Sequence, residues 1–204
     1  MTPRAYHHGN LRAALVDAAV GLAQEHGPDG VVLREVARRT GVTHNASYRH
    51  FAAREELLAE VAAVGMDRLA AAIRARTDAL PPVPEGGDPR VRARARLREV
   101  GRAYVEFAVA ETGLFRVAFS ADMPEEHAAE SPYDLLNQAL DELVATGAVA
   151  PAVRVGAEVT CWAAVHGLAE LLTSGPLRAL PPEEREPVLE GMLATVEAGL
   201  ARPA

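Results

Sequence analysis

A short run of polar and aromatic residues near the N-terminus has side chains that suit contacts with nucleic acid. Residues 44–51 read HNASYRHF and combine Asn, Ser, Tyr, Arg and two His residues. These residue types bond to phosphate oxygens and to the edges of bases. No acid occurs from residue 36 to residue 54, whereas a structural surface helix usually pairs Glu with Lys at i, i+4. The composition therefore favours DNA binding over the alternative, a helical hairpin with an ordinary solvated face.

Two short predicted helices would position this run. From Leu33, apolar residues recur at i, i+3 and i+4, which predicts an amphipathic helix. Gly41 interrupts the pattern and can form a turn. Thr43 can cap a second helix, which we expect over residues 44–51. Two short helices joined by a glycine-containing turn form a helix-turn-helix, and its second helix fits the major groove of DNA.

The same region resembles the DNA-binding signature of TetR-type transcriptional regulators. The resemblance rests on residues 43–51, THNASYRHF, and on residues 54–58, REELL, and it covers roughly residues 6–69. The upstream residues 6–12, YHHGNLR, are similar to the start of one subgroup. Residues 162–167, WAAVHG, resemble the Trp/His/Gly motif of one type of C-terminal domain in that family.

The resemblance implies DNA-contacting roles for individual residues. The residues implied to contact phosphates are Thr43, Tyr48, His50 and Arg54. Those implied to face base edges are His44, Asn45 and Ser47. Arg34, which suits a guanine or a phosphate, and Arg49 complete the expected DNA-binding set. The N-terminal dipole of a helix capped by Thr43 would favour an anion.

Charge is distributed unevenly along this chain of 204 residues, whose formal net charge is −7. Residues 1–54 contain seven Arg against four acids, a net charge of +3, which leaves −10 for the remainder. This asymmetry favours docking on DNA through the N-terminal end. The chain contains no lysine at all. Because that absence is not confined to the DNA-binding region, we attribute it to a GC-rich coding bias.

Composition also bounds the cellular setting. A hydrophobic content of 49% is enough for a sizeable core. The single cysteine, Cys161, excludes an intrachain disulfide and fits a reducing cytosol, so we expect a cytoplasmic protein. No run of about 18 apolar residues and no signal-peptide pattern is visible, so we expect no membrane span.

The rest of the sequence has helical periodicity, with no strand candidate and no internal repeat. Asn10 can cap the first helix. The predicted helices cover residues 10–26, 33–40, 44–51, 54–77, 91–110, 133–146, 151–173 and 181–200, and a short apolar segment follows the fifth of them at 114–119. The helix over 54–77 contains no proline and can be a continuous rod. We therefore expect an all-α chain with a three-helix DNA-binding domain at 1–53 and a helical effector-binding and dimerisation domain at 54–204.

The helix predicted over 151–173 has apolar residues on two faces and therefore needs two partners. Together with the last helix it suggests a homodimer with a two-fold four-helix interface. The alternative is that both helices pack inside one subunit. Two DNA-binding domains about 34–36 Å apart, or a multiple of that, would engage a palindrome, which favours the dimer.

The C-terminal part also contains candidate ligand-binding residues. A small-molecule site is usually an apolar cavity with a few convergent polar groups. The large or polar-tipped residues expected to face inward are Tyr104, Phe107, Phe115, Phe119, Met123, Trp162 and His166. Ordinary core packing is the alternative, and Trp162 and His166, one helical turn apart, are also candidates for the dimer interface.

Catalysis, metals and cofactors have little support in the sequence. Cys161 and His166 are five residues apart and would lie on different sides of one helix, out of hydrogen-bond reach. No spacing typical of a metal site, no phosphate-binding glycine loop and no dinucleotide fingerprint is present, so we expect no enzyme and no cofactor.

The resulting interpretation is a ligand-responsive transcriptional regulator. The resemblance implies a repressor that binds a palindromic operator as a homodimer and is released by a small molecule in the C-terminal domain. The alternative is an effector-independent architectural or cell-division factor that binds DNA on the same fold.

Overall fold

The computed structural model describes residues 8–120 and 130–201. Within them the chain forms helices and turns without a β-strand, so the predicted all-α class is confirmed. The α-helices are α1 His8–His26, α2 Leu33–Thr40, α3 His44–Tyr48, α4 Arg54–Asp78, α5 Pro89–Ala110, α6 Thr112–Ser120, α7 Pro132–Ala145, α8 Ala157–Thr173 and α9 Pro182–Leu200. Three 3-10 turns cover Pro28–Gly30, Pro151–Arg154 and Pro176–Ala179.

The helices belong to two compact units. The head unit contains α1, α2, α3, α6 and the part of α4 up to Met66. The body unit contains the rest of α4 with α5, α7, α8 and α9. None of the described helices combines the length and the hydropathy that a membrane span requires.

The head unit is built around the inner faces of α1 and α4. Leu15 and Leu22 of α1, Phe51, and Leu57 of α4 are each at most 1% exposed. Gly113 lets α6 approach α1 closely, because a Cβ at that position would lie 2.0 Å from the carbonyl oxygen of Ala23. Burial of these apolar groups stabilises the helices of the head unit, which would be marginally stable in isolation.

The α2–α3 pair forms the predicted helix-turn-helix. Gly41 adopts a φ of 70° at the end of α2, and its left-handed conformation makes the turn. The side chain of Thr43 accepts a hydrogen bond from the backbone N–H of Ala46 at 3.3 Å, so the predicted cap is confirmed. The helix ends at Tyr48, three residues earlier than expected, and the following turn leads to buried Phe51.

The body unit packs α7, α8 and α9 against α5. A core cluster joins Val105 of α5 with Leu168 and Leu172 of α8 and Leu189 and Leu193 of α9. Small residues set the separation of these helices. At Gly101, for example, an added Cβ would lie 2.7 Å from a methyl group of Leu193.

Several predicted boundaries were wrong for local reasons. The single helix expected over 151–173 is a 3-10 turn, Pro151–Arg154, followed by a separate α8. Gly156 lies between the turn and α8 and separates them. Its φ of 77° is a left-handed conformation that glycine adopts without strain. The first helix starts at His8, before the cap expected at Asn10.

Candidate functional site

The face of α3 is open to solvent and carries most of the residues expected to bind DNA. Thr43, His44, Asn45, Tyr48 and Arg49 are exposed. Tyr48 is 46% exposed, so its ring and hydroxyl can meet a partner. The rings of His44 and Tyr48 meet edge to face, with centroids 4.6 Å apart, a favourable geometry for an aromatic pair.

Two arginines, one on α2 and one directly after α3, have no polar partner among the residues that the structure describes. Arg34, at the start of α2, and Arg49 are exposed, and neither makes a hydrogen bond or an ion pair with the residues that the structure describes. Other arginines of the head are neutralised: Arg38 donates two hydrogen bonds to Glu35, at 2.7 and 2.9 Å, and Arg39 donates two to a glutamate of α1. The cations available to an anionic partner therefore include Arg34 and Arg49.

The Arg38–Glu35 pair also affects titration. The hydrogen bonds from Arg38 lower the pKa of Glu35 to about 2, so this carboxylate stays ionised and paired at neutral pH. A glutamate that is paired in this way repels a phosphate less than a free one would.

Ser47 is placed differently from expectation. Its side chain is completely buried, and its hydroxyl donates a hydrogen bond to the carbonyl of His44 at 2.7 Å. Its own carbonyl accepts the backbone N–H groups of His50 and Phe51, both at 3.0 Å. Ser47 therefore stabilises the C-terminal end of α3 on its buried side, and its hydroxyl is not presented to a base edge.

Arg54, which was expected to contact a phosphate, is instead engaged inside the protein. Its Nε donates to the carbonyl of Val31 at 2.7 Å, and its Nη2 donates to the carbonyl of Pro28 at 2.6 Å. These two bonds fix the Pro28–Gly30 turn and the start of α2 to the start of α4. The Arg54 side chain thus stabilises the position of the helix-turn-helix within the head unit.

Arg12 is a functional candidate that the sequence pattern did not indicate. Its Nη1 donates to the carbonyl of His50 at 3.0 Å, its Nη2 donates to Glu60 at 2.5 Å, and its guanidinium lies 4.4 Å from the ring centroid of Phe51. The available signal was its position on α1, three residues before the buried Leu15, where a charged residue next to the core needs a partner.

In the body unit, three of the expected ligand-binding residues meet. The hydroxyl of Tyr104 lies 2.8 Å from Nδ1 of His166 and accepts a hydrogen bond from Nε1 of Trp162 at 3.3 Å. Because indole N–H can only donate, Tyr104 is the acceptor in its contact with Trp162. Burial raises the pKa of Tyr104, so it remains a phenol at neutral pH. Tyr133 contacts the edge of Trp162, with ring centroids 5.5 Å apart.

The other expected ligand residues lie elsewhere. Phe107 is buried in α5. Phe115 and Phe119 pack on each other in α6 of the head unit, with ring centroids 4.8 Å apart. Met123 lies outside the described residues.

A separate small pocket in the body unit, lined by Leu97, Leu143 and Leu200 among others, has a volume of about 10 Å³, enough for one water molecule. It includes none of the expected ligand residues.

The remaining chemical candidates are inert. Burial raises the pKa of Cys161 to about 11, so the thiol is protonated at neutral pH and is a poor nucleophile. Within the described residues, no group of three or more His, Cys, Asp or Glu side chains is placed to hold a metal ion.

Two helices of the body unit have exposed faces without charge. On α8 the exposed side chains are Val159, Thr160, Trp162, Ala163, Gly167 and Leu171. On α9 the exposed residues from 187 onwards are Pro187, Val188, Gly191, Ala194, Thr195, Ala198 and Gly199. Val159 is 60% exposed and Trp162 is 40% exposed. Exposed apolar side chains on helix faces without charge are typical of an interaction site.

Two family models match the chain. Residues 15–61 match the model of bacterial regulatory proteins of the tetR family. Residues 97–196 match the model of the tetracyclin repressor-like C-terminal domain. The comparison with curated proteins found no match.

Solved structures with the same fold span nearly the whole chain. A protein with unknown function from Rhodococcus sp. RHA1 is 30% identical, with a TM-score of 0.77, and the match covers 98% of this chain and 100% of that one. A TetR variant from Acinetobacter baumannii AYE in complex with minocycline is 19% identical, with a TM-score of 0.63 and coverage of 92% and 94%. A transcriptional regulator from Rhodococcus sp. Rha1 is 21% identical, with a TM-score of 0.55 and coverage of 95% and 99%.

Proposed function

We propose that this chain, which belongs to the tetR family of bacterial regulatory proteins, represses transcription as a homodimer on a palindromic operator until a small molecule bound in its body unit releases it. Family membership makes the protein a transcriptional regulator. The observation that carries the DNA-binding part is the open face of α3, where polar and aromatic side chains accompany two arginines without a polar partner in the described part of the chain. We also assign the chain to the subgroup with a Trp/His/Gly motif, on the basis of Trp162, His166 and Gly167.

The proposed DNA contacts follow from exposure. Asn45 and His44 would meet base edges in the major groove, since Asn can bond bidentately to adenine. Residues that would hold the backbone phosphates are Arg34, Thr43, Tyr48, Arg49 and His50. Ser47 and Arg54 are left out of this set because their side chains are engaged inside the head unit.

The homodimer is supported by the uncharged faces of α8 and α9. An isolated subunit would leave these apolar side chains in water. A two-fold axis that pairs both helices with their copies would bury them in a four-helix interface. The same axis would present two copies of α3 to a palindrome whose half-sites are about 34–36 Å apart, or a multiple of that.

The effector part of the proposal centres on Tyr104, Trp162 and His166. The structure with minocycline is that of a protein with the same fold. In this chain the three side chains bring hydrogen-bonding groups to otherwise apolar helices, which is the composition of a typical small-molecule site. To shift a two-state dimer from 1:99 to 99:1, the effector must favour the released state by about 5.5 kcal/mol.

The uncharged faces of α8 and α9 would equally suit a second candidate, a DNA-binding architectural or cell-division factor without an effector. Under this second proposal the body unit would serve dimerisation alone.

Selection of duplexes from a random pool by the full-length protein tests the DNA-binding proposal. We expect enrichment of a palindrome with half-sites separated by one helical turn or a multiple of it. Enrichment of single, non-repeated sites would contradict the homodimer. Failure to retain any duplex, even at low ionic strength, would overturn the DNA-binding function itself.

The sole tryptophan, Trp162, provides a probe that separates the two candidates. It donates to Tyr104, so a ligand bound beside that pair should change its emission. We expect a compound that alters Trp162 fluorescence, raises the melting temperature and releases the selected duplex. If every compound in a broad metabolite library that stabilises the protein leaves the DNA bound, the effector-independent factor is favoured.

A further inference from the structure

Arg12 connects three parts of the head unit around the end of α3. It lies on α1 and is 40% exposed. One nitrogen donates to the backbone carbonyl of His50 at 3.0 Å, and another donates to Glu60 of α4 at 2.5 Å. Its guanidinium carbon stands 4.4 Å from the ring centroid of Phe51, a cation–π contact with a fully buried ring. One side chain thus links α1, the turn after α3, and α4.

The turn that Arg12 contacts follows a very short helix. α3 contains five residues and ends at Tyr48, so Arg49 and His50 follow the last residue of the helix. A helix this short is not stable by itself, and the carbonyls at its C-terminal end have no partner within the helix. The N–H groups of His50 and Phe51 bond to the carbonyl of Ser47. The carbonyl of His50 receives its hydrogen bond from Arg12.

We propose that Arg12 is a positioning residue for DNA recognition. It holds the turn at the end of α3 so that Arg49 is presented to a phosphate, while its own guanidinium remains bound to His50 and Glu60. The inference rests on the proposed DNA-binding function of α3. A cation at the C-terminal end of a helix is electrostatically favourable, and the planar guanidinium suits the simultaneous contacts with carbonyl, carboxylate and ring.

The first measurement needs no DNA. Hydrogen–deuterium exchange of Arg12→Gln in the full-length protein should show faster exchange in the turn after α3 than in the wild type, with α1 and α2 protected as before. A matched control is Arg39→Gln, which removes another head-unit arginine paired with a glutamate, Glu25, away from this turn. If the turn exchanges at the wild-type rate in Arg12→Gln, the carbonyl contact does not hold it, and the proposal is overturned.

The second measurement is binding of the selected duplex at several salt concentrations. We expect Arg12→Gln to weaken binding roughly tenfold, as the loss of one charge-assisted hydrogen bond would. The slope of log affinity against log salt should fall by no more than it does in Arg49→Gln, because the one phosphate contact of Arg49 accounts for about 0.9 of it. A slope that falls by about twice that amount in Arg12→Gln would mean that Arg12 itself binds a phosphate, and the positioning role would be overturned.

Coupling to Arg49 separates positioning from general destabilisation. If Arg12 acts through Arg49, then Arg12→Gln should cost little further affinity in an Arg49→Gln background. Arg12→Lys, which keeps one donor and the charge, should restore part of the loss. Fully multiplicative losses, or no rescue by lysine, would reject the positioning role. If the wild type binds no duplex, the proposed function fails. If the wild type binds and Arg12→Gln binds equally well, the positioning role alone fails.

Discussion

At the scale of single residues, Asn45 is the exposed α3 side chain best suited to read a base. Its amide offers a donor and an acceptor side by side, a pattern that matches the major-groove edge of adenine. Neighbouring Thr43 caps the helix, and Ser47 is buried. Under the proposed function, base reading by α3 therefore rests on Asn45 and His44.

We expect Asn45→Ala to relax the preference at one base pair of each half-site, with a cost of about 1–3 kcal/mol on the preferred duplex. Binding to random DNA should change little, because phosphate contacts supply most non-specific affinity. Competition binding with all four bases at each operator position measures the effect. Equal losses on preferred and random duplexes would show that Asn45 does not read a base.

Cys161 gives a second prediction at this scale. Its pKa is raised to about 11 by burial, so the thiolate fraction at neutral pH is far below that of an exposed cysteine. Alkylation of the native protein should be slow at pH 7.5 and should accelerate with pH up to about 11. The urea-unfolded chain, in which the thiol has an ordinary pKa, is the control. Rapid labelling of the native protein would show that the thiol is not buried as described.

At the scale of elements, α5 and α9 are joined by a ladder of ion pairs. Arg94 and Arg98 of α5 both pair with Glu197, at 3.6 and 3.2 Å. One turn further along, Arg102 pairs with Glu186 at 2.7 Å and also with Glu190. The order of the pairs runs in opposite directions on the two helices. The ladder therefore specifies the antiparallel register of α9, which buries few apolar side chains for its length.

We expect Arg102→Ala to lower the free energy of unfolding by about 1–2 kcal/mol. Single exposed pairs contribute at most about 1 kcal/mol, but Arg102 is only 17% exposed, and its removal would leave several carboxylates facing one another. The loss should shrink in 1 M salt. Arg68→Ala, an exposed arginine of α4 that has no partner in the described part of the chain, is the control. Equal losses in both variants would mean that the ladder contributes nothing specific.

At the scale of the whole molecule, charge and apolar surface are separated along the chain. The first 54 residues carry a net charge of +3 and the remainder carries −10. The acidic remainder would be repelled by the DNA backbone, so the asymmetry favours approach through α3. The uncharged faces of α8 and α9 would then serve assembly of two subunits.

Gly167→Arg tests that assembly. Gly167 lies on the exposed face of α8, and an added Cβ would meet nothing within 4 Å in one subunit, so the monomer can accommodate the change. A two-fold interface on this face could not accommodate a large charged side chain. We expect a monomer by light scattering and roughly hundredfold weaker binding to the palindrome, since two linked sites bind far more tightly than one.

Ala75→Arg, at an exposed position of α4 in the body unit, is the matched control and should remain dimeric. A Gly167→Arg variant that keeps the dimeric mass would place the interface on another surface.

Much of the helix-turn-helix could be predicted because its determinants are local. Gly41 makes the turn through its own backbone conformation, and Thr43 caps a helix that starts at the next residue. Hydrophobic periodicity likewise located α4 and α5 to within two residues at each end. The end of α3 was wrong by three residues because Phe51 is drawn into the head core, and that core is formed by residues distant in sequence.

The sequence by itself determined the all-α class, the capped helix-turn-helix and its polar composition, because hydrogen bonds and periodicity within one or two turns depend only on neighbouring residues. The tertiary structure alone decided which of those polar side chains remain available. It buried Ser47, bound Arg54 to the turn before α2, and placed Arg12 against the carbonyl of His50. An arginine has the same donors in any fold, and only the packing of distant segments decides whether they meet a carbonyl or remain open to a phosphate.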